Sequence, residues 1–525
     1  MRDRFCSYYT NSKEITEYMV SKLGVVENDI ILEPSAGEGI FIDEVLENSK
    51  IVQIDALDIN SDAISILKKK YENNSAVVVR KTDTLLDDQL DLYSISQLWL
   101  KQTDTLFDKQ LDMFSSLGGH YTKVIGNPPY GAWQDYEKRD VLKKKFAGHY
   151  VKETYSLFLL RCISVLRMHG RLSFIIPDTY LFLNMHSRLR ELIFSNTKID
   201  EILIFPSKFF PGVSFGYSNL SIITLERCDK KDALEHTFRV IQGFNSSSEF
   251  SKLLGDEKEY PENLQIFNFK QNDILKNEQC RVILAESKTS ALLSHPEEKL
   301  GDVADIVTGF YTGDNLRFIR TASKDVKGAK NYDVVDPATI THCTSLYGIP
   351  DLEEGYVPYI KSAAKRRYFR QSDEWFVRWD KATIDFYNRN KKSRFQNSSF
   401  YFKTGIGIPM VKSSTIRAFL MADHVFDQSI VGIFPKDSSK LYYLLALMNS
   451  DAINNLVHAI NPTANNSSNY IKQLPYIEPT SDVLEKIIGM VKEVIAFESK
   501  SDYKNADRLH DEINAIVGQI YLQEN

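Results

Sequence analysis

The first 225 residues repeat one pattern, in which a short apolar run ends in polar residues and is followed by a stretch with helical spacing. The apolar runs are residues 30–32, 51–57, 77–79, 123–126 and 172–177. Strands that alternate with helices predict an α/β fold with a doubly wound, mostly parallel, Rossmann-like sheet. Ligands bind such sheets at the carboxyl ends of the strands. The polar residues that follow each run are therefore the candidate site.

The most specific motif is Asn127-Pro128-Pro129-Tyr130, directly after the fourth apolar run. A tight turn would account for the prolines but not for the whole combination. Two consecutive prolines fix the backbone and lack N–H donors, so the Asn127 side-chain oxygen and the Pro128 carbonyl can act as rigid acceptors. A planar amino group offers two donors to such a pair, and Tyr130 offers a flat face for stacking. The motif predicts a site for an amino group on an aromatic ring.

A second motif, Glu-Pro-Ser-Ala-Gly-Glu-Gly at residues 33–39, follows the first apolar run. Its small residues allow the backbone to approach a ligand closely. It is not a phosphate loop, and its acidic Glu33 and Glu38 can hold an ammonium group. Asp58 ends the next run, where an acid can accept both hydroxyls of a ribose, although a strand-end cap is the alternative role. A ligand with a ribose and an ammonium group but no phosphate points to S-adenosylmethionine.

With its motifs in this order, the chain resembles the TaqI-type, gamma-like family of type II DNA adenine-N6 methyltransferases. The resemblance implies S-adenosyl-L-methionine as the cofactor, no metal, and a flipped-out adenine of double-stranded DNA as the substrate. It implies catalytic roles for Asn127, Pro128, Pro129 and Tyr130, with Tyr130 and Phe210 stacking on the target base. The residues that it assigns to the cofactor are Tyr9, Thr10, Glu33, Pro34, Ser35, Ala36, Gly37, Gly39, Asp58, Ile59, Asp83, Asn127 and Phe158.

Three of these assignments stay open. Residues 82–91 recur in nearly the same form at 103–112, so Asp104 competes with Asp83 for the cofactor's adenine. Phe205 and Phe209 compete with Phe210 for the target base. Phe158 is equally well explained as part of a helix core.

The predicted domains are a catalytic domain over residues 1–230, a connector that completes it over 231–296, and a mixed α+β target-recognition domain over 297–525. The last domain is expected to end in a helical segment, because residues 481–521 have helical periodicity. The net charge of -6 hides a basic block, residues 361–417, with 14 Lys/Arg against 4 Asp/Glu. Such a block is typical of either a solvated face or a DNA-binding surface. It is interleaved with aromatic residues, which favours DNA, and its candidate DNA-binding residues are Arg366, Arg367 and Arg370.

The sequence leaves other functions to weigh. The same motif can serve methylation of an RNA base or a protein glutamine amide, cytosine N4 is a related target, and a degenerate cofactor fold could act as a DNA-binding specificity module. Five separated cysteines without a CxxC pair favour reduced thiols in a cytoplasmic protein and argue against a zinc site. We expect no membrane partner and a stand-alone methyltransferase, for which a separate cognate restriction endonuclease is a candidate partner.

Overall fold

The computed structural model describes residues 12–49, 51–93, 119–131, 136–210, 219–254, 260–285, 287–294, 296–342, 344–350, 354–411, 415–461 and 466–522. The chain forms two compact units, residues 1–282 and 283–525. Within the described ranges, no helix has both the length and the apolar composition that a bilayer span needs.

The first unit is built on a nine-stranded sheet in the order β3-β2-β1-β4-β5-β7-β6-β8-β9. Neighbours from β3 to β5 run parallel, and β7 is antiparallel to β5 and to β6. This topology confirms the predicted α/β fold. The strands are β1 Ile30–Glu33, β2 Gln53–Asp58, β3 Val77–Lys81, β4 Tyr121–Gly126, β5 Leu166–Pro177, β6 Thr197–Pro206, β7 Asn219–Arg227, β8 Thr237–Gln242 and β9 Gln265–Lys270.

Helices connect these strands, as the alternating pattern predicts. Every residue of the helix Thr154–Val165, which precedes β5, is buried. The described helices are α1 Lys13–Leu23, α2 Ile40–Asn48, α3 Ser61–Lys70, α4 Asp88–Tyr93, α5 Tyr136–Lys145, α6 Thr154–Val165, α7 Ser187–Asn196, α8 Lys230–Glu235 and α9 Gln271–Lys276. Short 3-10 segments include Asp178–Leu181 and Asn184–His186.

The second unit is a mixed α+β structure with two four-stranded sheets, in the orders β10-β17-β14-β15 and β11-β13-β12-β16. Its strands are β10 Ala304–Thr308, β11 Ile319–Thr321, β12 Tyr356–Ile360, β13 Trp375–Arg378, β14 Gly405–Pro409, β15 Phe419–Met421, β16 Val425–Phe426 and β17 Ile430–Pro435. Its described helices are α10 Ser287–Ser294, α11 Leu300–Val303, α12 Asn315–Phe318, α13 Lys381–Arg389, α14 Leu441–Asn449, α15 Asp451–Ile460, α16 Ser468–Ile471, α17 Ser481–Ser499 and α18 Tyr503–Leu522.

The aromatic residues of the basic block belong to the core of this unit. Tyr368, Trp375, Phe376 and Trp379 are each at most 6% exposed. The expectation that the aromatic part of the block faces DNA is therefore wrong for these four side chains. Three of them lie on or next to β13, whose apolar side chains pack into the interior of the unit.

Candidate functional site

The loop after β1 needs glycine at two positions. Gly37 and Gly39 have φ values of 52° and 80°, in the left-handed region that other residues rarely adopt. A Cβ atom at Gly39 would also lie 2.7 Å from the hydroxyl oxygen of Tyr71. That hydroxyl donates a hydrogen bond to the Gly39 carbonyl oxygen over 3.0 Å. The glycines thus allow the loop to turn back tightly over the end of its own strand.

Asp58 fastens this loop to the end of β2. Its Oδ2 accepts a hydrogen bond from the Gly37 N–H over 2.8 Å, and its Oδ1 accepts one from the Asn60 N–H over 2.7 Å. The carboxylate therefore does act as a strand-end cap. Each carboxylate oxygen can accept more than one hydrogen bond, so this role leaves capacity for ribose hydroxyls. Ile59, beside it, is 40% exposed and offers an apolar surface at the same strand end.

Two residues that the sequence analysis did not select, Thr84 and Lys138, contact the site near the end of β3. The Thr84 hydroxyl donates to the Pro34 carbonyl oxygen over 2.5 Å, which ties the β3 end to the β1 loop. Asp83 accepts from the Leu85 N–H over 3.2 Å, and its Oδ2 lies 2.7 Å from Lys138 Nζ. Lys138, on α5, therefore partly neutralises the acid that was predicted to bind the cofactor's adenine.

The Asn127–Tyr130 turn lies directly after β4 and is held at both ends. The Ser35 hydroxyl donates to the Asn127 carbonyl oxygen over 3.2 Å, and the Thr154 N–H donates to the Tyr130 carbonyl oxygen over 3.0 Å. β1 and β4 are adjacent parallel strands, with Leu32 opposite Val124. The turn therefore lies beside the β1 loop, at the carboxyl ends of these two strands. The Tyr130 side chain is fully buried.

A buried polar network lies behind this turn. Glu153 Oε2 is 2.7 Å from His186 Nε2, and the Tyr155 hydroxyl is 3.0 Å from the same nitrogen. Tyr155 also shares a hydrogen bond of 2.8 Å with Thr179, in the segment after β5. Because Thr154 holds Tyr130 and stands between Glu153 and Tyr155, the network fixes the backbone that positions the turn.

Glu33 provides the test of whether the site fits a sulfonium cofactor. The side chain is 1% exposed, and its Oε2 has no hydrogen-bond partner among the described residues. Burial, followed by the charges of Asp58 and Asp43, raises the pKa of Glu33 well above its usual range. Such a buried acceptor suits a ligand with an ammonium or hydroxyl donor and opposes a phosphate. The residues present therefore fit S-adenosylmethionine.

The remaining predicted residues of the first unit are placed as follows. Phe158 lies within α6 and is 6% exposed. Phe205 and Phe210 are buried with ring centroids 6.2 Å apart, whereas Phe209 is half-buried, so the choice among the three stays open. Tyr9, Thr10 and Asp104 lie outside the described residues, and the choice between Asp83 and Asp104 also stays a prediction.

Two of the three predicted DNA-binding arginines are engaged within the second unit. Arg366 donates to both oxygens of Glu498, over 2.7 and 2.9 Å, and contacts Asp507 over 2.5 Å. Arg370 donates to the Ser362 carbonyl oxygen over 3.0 Å. These contacts favour a structural role for Arg366, whose charge is already balanced. Among the residues that the structure describes, no group of three or more His, Cys, Asp or Glu side chains could hold a metal ion.

Comparison with known families finds a match over part of the first unit. Residues 45–210 match the family described as the Eco57I restriction-modification methylase. The matched segment includes β2, β3, the Asn127–Tyr130 turn and α6.

Relatives among curated proteins cover more of the chain. It is similar to the type II methyltransferase M.AccI of Acinetobacter calcoaceticus, with 22% identity over 416 residues that cover 77% of this chain and 66% of the relative. It is also similar to the adenine-specific methyltransferase PglX of Lacticaseibacillus casei (strain Zhang), with 20% identity over 395 residues that cover 72% of this chain and 31% of the relative. The chain thus spans less than two thirds of the length of either relative.

A solved structure with the same fold is a nuclease-deletion mutant of the Type ISP restriction-modification enzyme LlaGI in complex with a DNA substrate mimic. The TM-score is 0.55 at 14% identity, and the match covers 93% of this chain and 54% of that one. This likeness shows the fold alone.

Proposed function

We propose that the chain is an S-adenosylmethionine-dependent DNA methyltransferase that methylates N6 of an adenine flipped out of double-stranded DNA. The observation that carries the proposal is the Asn127–Tyr130 turn, which is hydrogen-bonded to the β1 loop through Ser35 and Asn127. The turn supplies acceptors for an amino group beside a loop that fits the cofactor. The matched methylase family and the adenine-specific name of one relative support the same reading. The proposal includes the resemblance to the TaqI-type adenine methyltransferases.

The cofactor would be held by the ends of three neighbouring strands. Glu33 provides a buried acceptor for a donor group, Asp58 accepts from a ribose, and Ile59 offers an apolar surface for an adenine ring. Asp83 is the candidate partner for the adenine amino group. When bound, S-adenosylmethionine supplies a methyl group on a sulfonium, which an amine can take by direct displacement.

The chain's own contribution is to position and polarise the target amine. An aromatic amine is a poor nucleophile because its lone pair is delocalised into the ring. The Asn127 side-chain oxygen and the Pro128 carbonyl oxygen accept hydrogen bonds from the two amino N–H groups, which draws the nitrogen toward tetrahedral geometry and makes its lone pair available. Fixed acceptors of this kind need no reorganisation during the reaction. No thiol nucleophile is required.

The target atom is inaccessible within a stacked duplex, so the base must be extruded before it reacts. Tyr130 and Phe210 are the proposed stacking partners of the extruded adenine. Both side chains are buried in this structure. Base binding therefore requires that the groups covering Tyr130 move aside.

The test is transfer of tritium from labelled S-adenosylmethionine to mixed-sequence duplex DNA, followed by digestion and chromatography of the nucleosides. We expect the label in N6-methyldeoxyadenosine. Label in N4-methylcytosine would contradict the adenine assignment while keeping the reaction class. Bound cofactor without label in DNA would favour RNA or a protein amide as the substrate, which transfer to those substrates would reveal. Absence of cofactor binding would overturn the proposal and leave a DNA-binding specificity module.

A further inference from the structure

The second unit contains a pocket that none of the catalytic assignments uses. Its volume is about 210 Å³, and it lies between the segment around residues 365–368 and the helices α17 and α18. Tyr368 and His510 are among its lining residues, joined by a hydrogen bond of 2.9 Å. The side chain of Lys365 is 86% exposed and that of Asp507 is 61% exposed, so the pocket is accessible from solvent.

Cations outnumber acids among the lining side chains. Lys365, Arg366, Arg367 and Arg417 line the pocket, together with the acids Glu498 and Asp507. Arg366 is paired with both acids, at 2.7 Å to Glu498 and 2.5 Å to Asp507. Lys365 lies 3.1 Å from Glu374, outside the lining. Both lining acids thus contact the same cation, and their two charges exceed that of Arg366 by one.

Arg366, Arg367 and Arg417 together outnumber the two lining acids by one positive charge. Neither Arg367 nor Arg417 forms an ion pair with a carboxylate of the described residues, and Arg367 Nε is buried there without a hydrogen-bond partner. Arg417 is exposed and donates to the Lys365 carbonyl oxygen over 3.1 Å. Burial, with a further contribution from the charge of Arg367, lowers the pKa of His510 below its usual value. The pocket therefore has a net positive lining and two guanidinium groups that form no ion pair with a carboxylate of the described residues.

We propose that this pocket binds a phosphate group through Arg367 and Arg417. Two guanidinium groups can each donate paired hydrogen bonds to phosphate oxygens, and such charge-assisted bonds are the strong ones. The volume lies below the roughly 300–1,000 Å³ of a typical small-molecule pocket, which favours a single phosphate over a whole nucleotide. The phosphate belongs either to the DNA backbone, in which case the inference rests on the proposed function, or to a small phosphate-bearing compound.

The variants that test this inference remove charge without leaving an acid unpaired. They are Arg367→Gln, Arg417→Gln and the double variant, in the full chain. Arg508→Gln is the matched control, because Arg508 is 61% exposed, pairs with Glu512 on the same helix and does not line the pocket. All proteins are checked for unchanged far-UV circular dichroism before binding is measured.

The first arm measures the thermal unfolding temperature in increasing inorganic phosphate, with chloride at matched ionic strength as the reference. Phosphate that binds the folded pocket raises this temperature. We expect the rise in wild type and in the Arg508 control. The phosphate concentration that gives an equal rise should be about tenfold higher for each pocket arginine removed, because the bound phosphate loses charge-assisted hydrogen bonds.

The second arm measures binding of duplex DNA as a function of salt concentration. The slope of log K against log salt concentration is negative, and each lost contact to a backbone phosphate reduces its magnitude by about 1. A slope reduced in the pocket variants and not in the Arg508 control identifies the DNA backbone as the source. An unchanged slope, with phosphate stabilisation lost, identifies a free phosphate compound.

Equal behaviour of wild type and variants in both arms overturns the inference. A wild-type chain that binds no DNA and transfers no methyl group would instead contradict the proposed function. The phosphate arm would still report on the pocket in that case, so the two failures are distinguishable.

Discussion

Asn127 is the residue on which the proposed chemistry depends most directly. We expect Asn127→Ala to lower kcat about a hundredfold or more, because the variant lacks an acceptor that acts on the amine during the reaction. Cofactor affinity should stay within about twofold, since Ser35 contacts the carbonyl oxygen of Asn127, which alanine keeps. Single-turnover methylation and equilibrium binding of labelled S-adenosylmethionine measure the two quantities.

The matched control for this variant is Asn48→Ala on α2, where the exposed amide donates hydrogen bonds to Glu44. It should leave both quantities unchanged. Retained turnover in Asn127→Ala would contradict the proposed mechanism.

Asp178, directly after β5, gives a prediction about pH. Burial raises the pKa of this carboxyl from 3.8 to about 7, against the opposing hydrogen bond that Asn219 donates over 3.3 Å. Ionisation therefore opposes folding, and stability is lost as pH rises from about 4 through about 7. We expect Asp178→Asn to remove this loss, so the variant becomes more stable than wild type by roughly a few kcal/mol at pH 8 and not at pH 4.

Denaturant unfolding of both proteins across this pH range measures the difference in free energy. Asparagine keeps an acceptor for Asn219, so packing should change little. A difference that is the same at pH 4 and pH 8 would show that Asp178 ionises normally.

At the residue scale, the sequence predicted that Glu33, Asp58 and the Asn127–Tyr130 turn belong to one site. The structure places all three at the carboxyl ends of adjacent strands. Gly37, Asp58 and Asn127 each follow a recognisable strand or motif, so local pattern was sufficient to select them. Thr84 was adjacent to a selected acid but carried no signal of its own. His186 was missed because its contact with Glu153 joins segments 33 positions apart, which no local spacing encodes.

At the scale of elements, the two C-terminal helices α17 and α18 stabilise the segment around Arg366. Glu498, near the end of α17, has a side chain that is 3% exposed and pairs with Arg366. Arg366→Gln would leave this carboxylate buried without its cation, which costs about 3–5 kcal/mol for a fully buried pair. Because Arg366 is itself 32% exposed, we expect a smaller loss of roughly 2–3 kcal/mol in the unfolding free energy.

The double variant Arg366→Gln/Glu498→Gln provides the control. It removes the unpaired charge and should recover part of the lost stability. Denaturant unfolding of wild type, Arg366→Gln, Glu498→Gln and the double variant then gives the interaction energy between the two side chains. Equal stability of wild type and Arg366→Gln would show that the ion pair contributes nothing.

Periodicity predicted elements well where one face or one run is apolar. β1 and β3 appear close to their predicted positions, and residues 481–521 are largely helical as expected. The single helical stretch is broken at residues 500–502, where Ser501 has a φ of 59°. The antiparallel insertion of β7 between β5 and β6 could not be predicted, because strand order depends on long-range pairing.

At the scale of the whole molecule, the chain consists of two compact units, and the proposed cofactor residues Glu33, Asp58 and Asp83 all lie in the first, residues 1–282. Unfolding of such a chain need not be a single transition. A ligand stabilises the unit that it binds, by about 2.7 kcal/mol at a concentration one hundred times its dissociation constant. We therefore expect S-adenosylmethionine to raise the unfolding temperature of the first unit, by about 5 °C or more.

Limited proteolysis during a temperature ramp, with mass spectrometry of the fragments, assigns each transition to a unit. Fragments from residues 1–282 should become resistant when the cofactor is present, and fragments from 283–525 should respond less. Glu33→Gln provides the specificity control, because glutamine keeps the size of the side chain but cannot ionise to balance an ammonium group. If the ammonium of the cofactor binds Glu33, this variant requires more cofactor for the same protection. Equal protection in both proteins would place the ammonium elsewhere, and protection confined to residues 283–525 would contradict a cofactor site in the first unit.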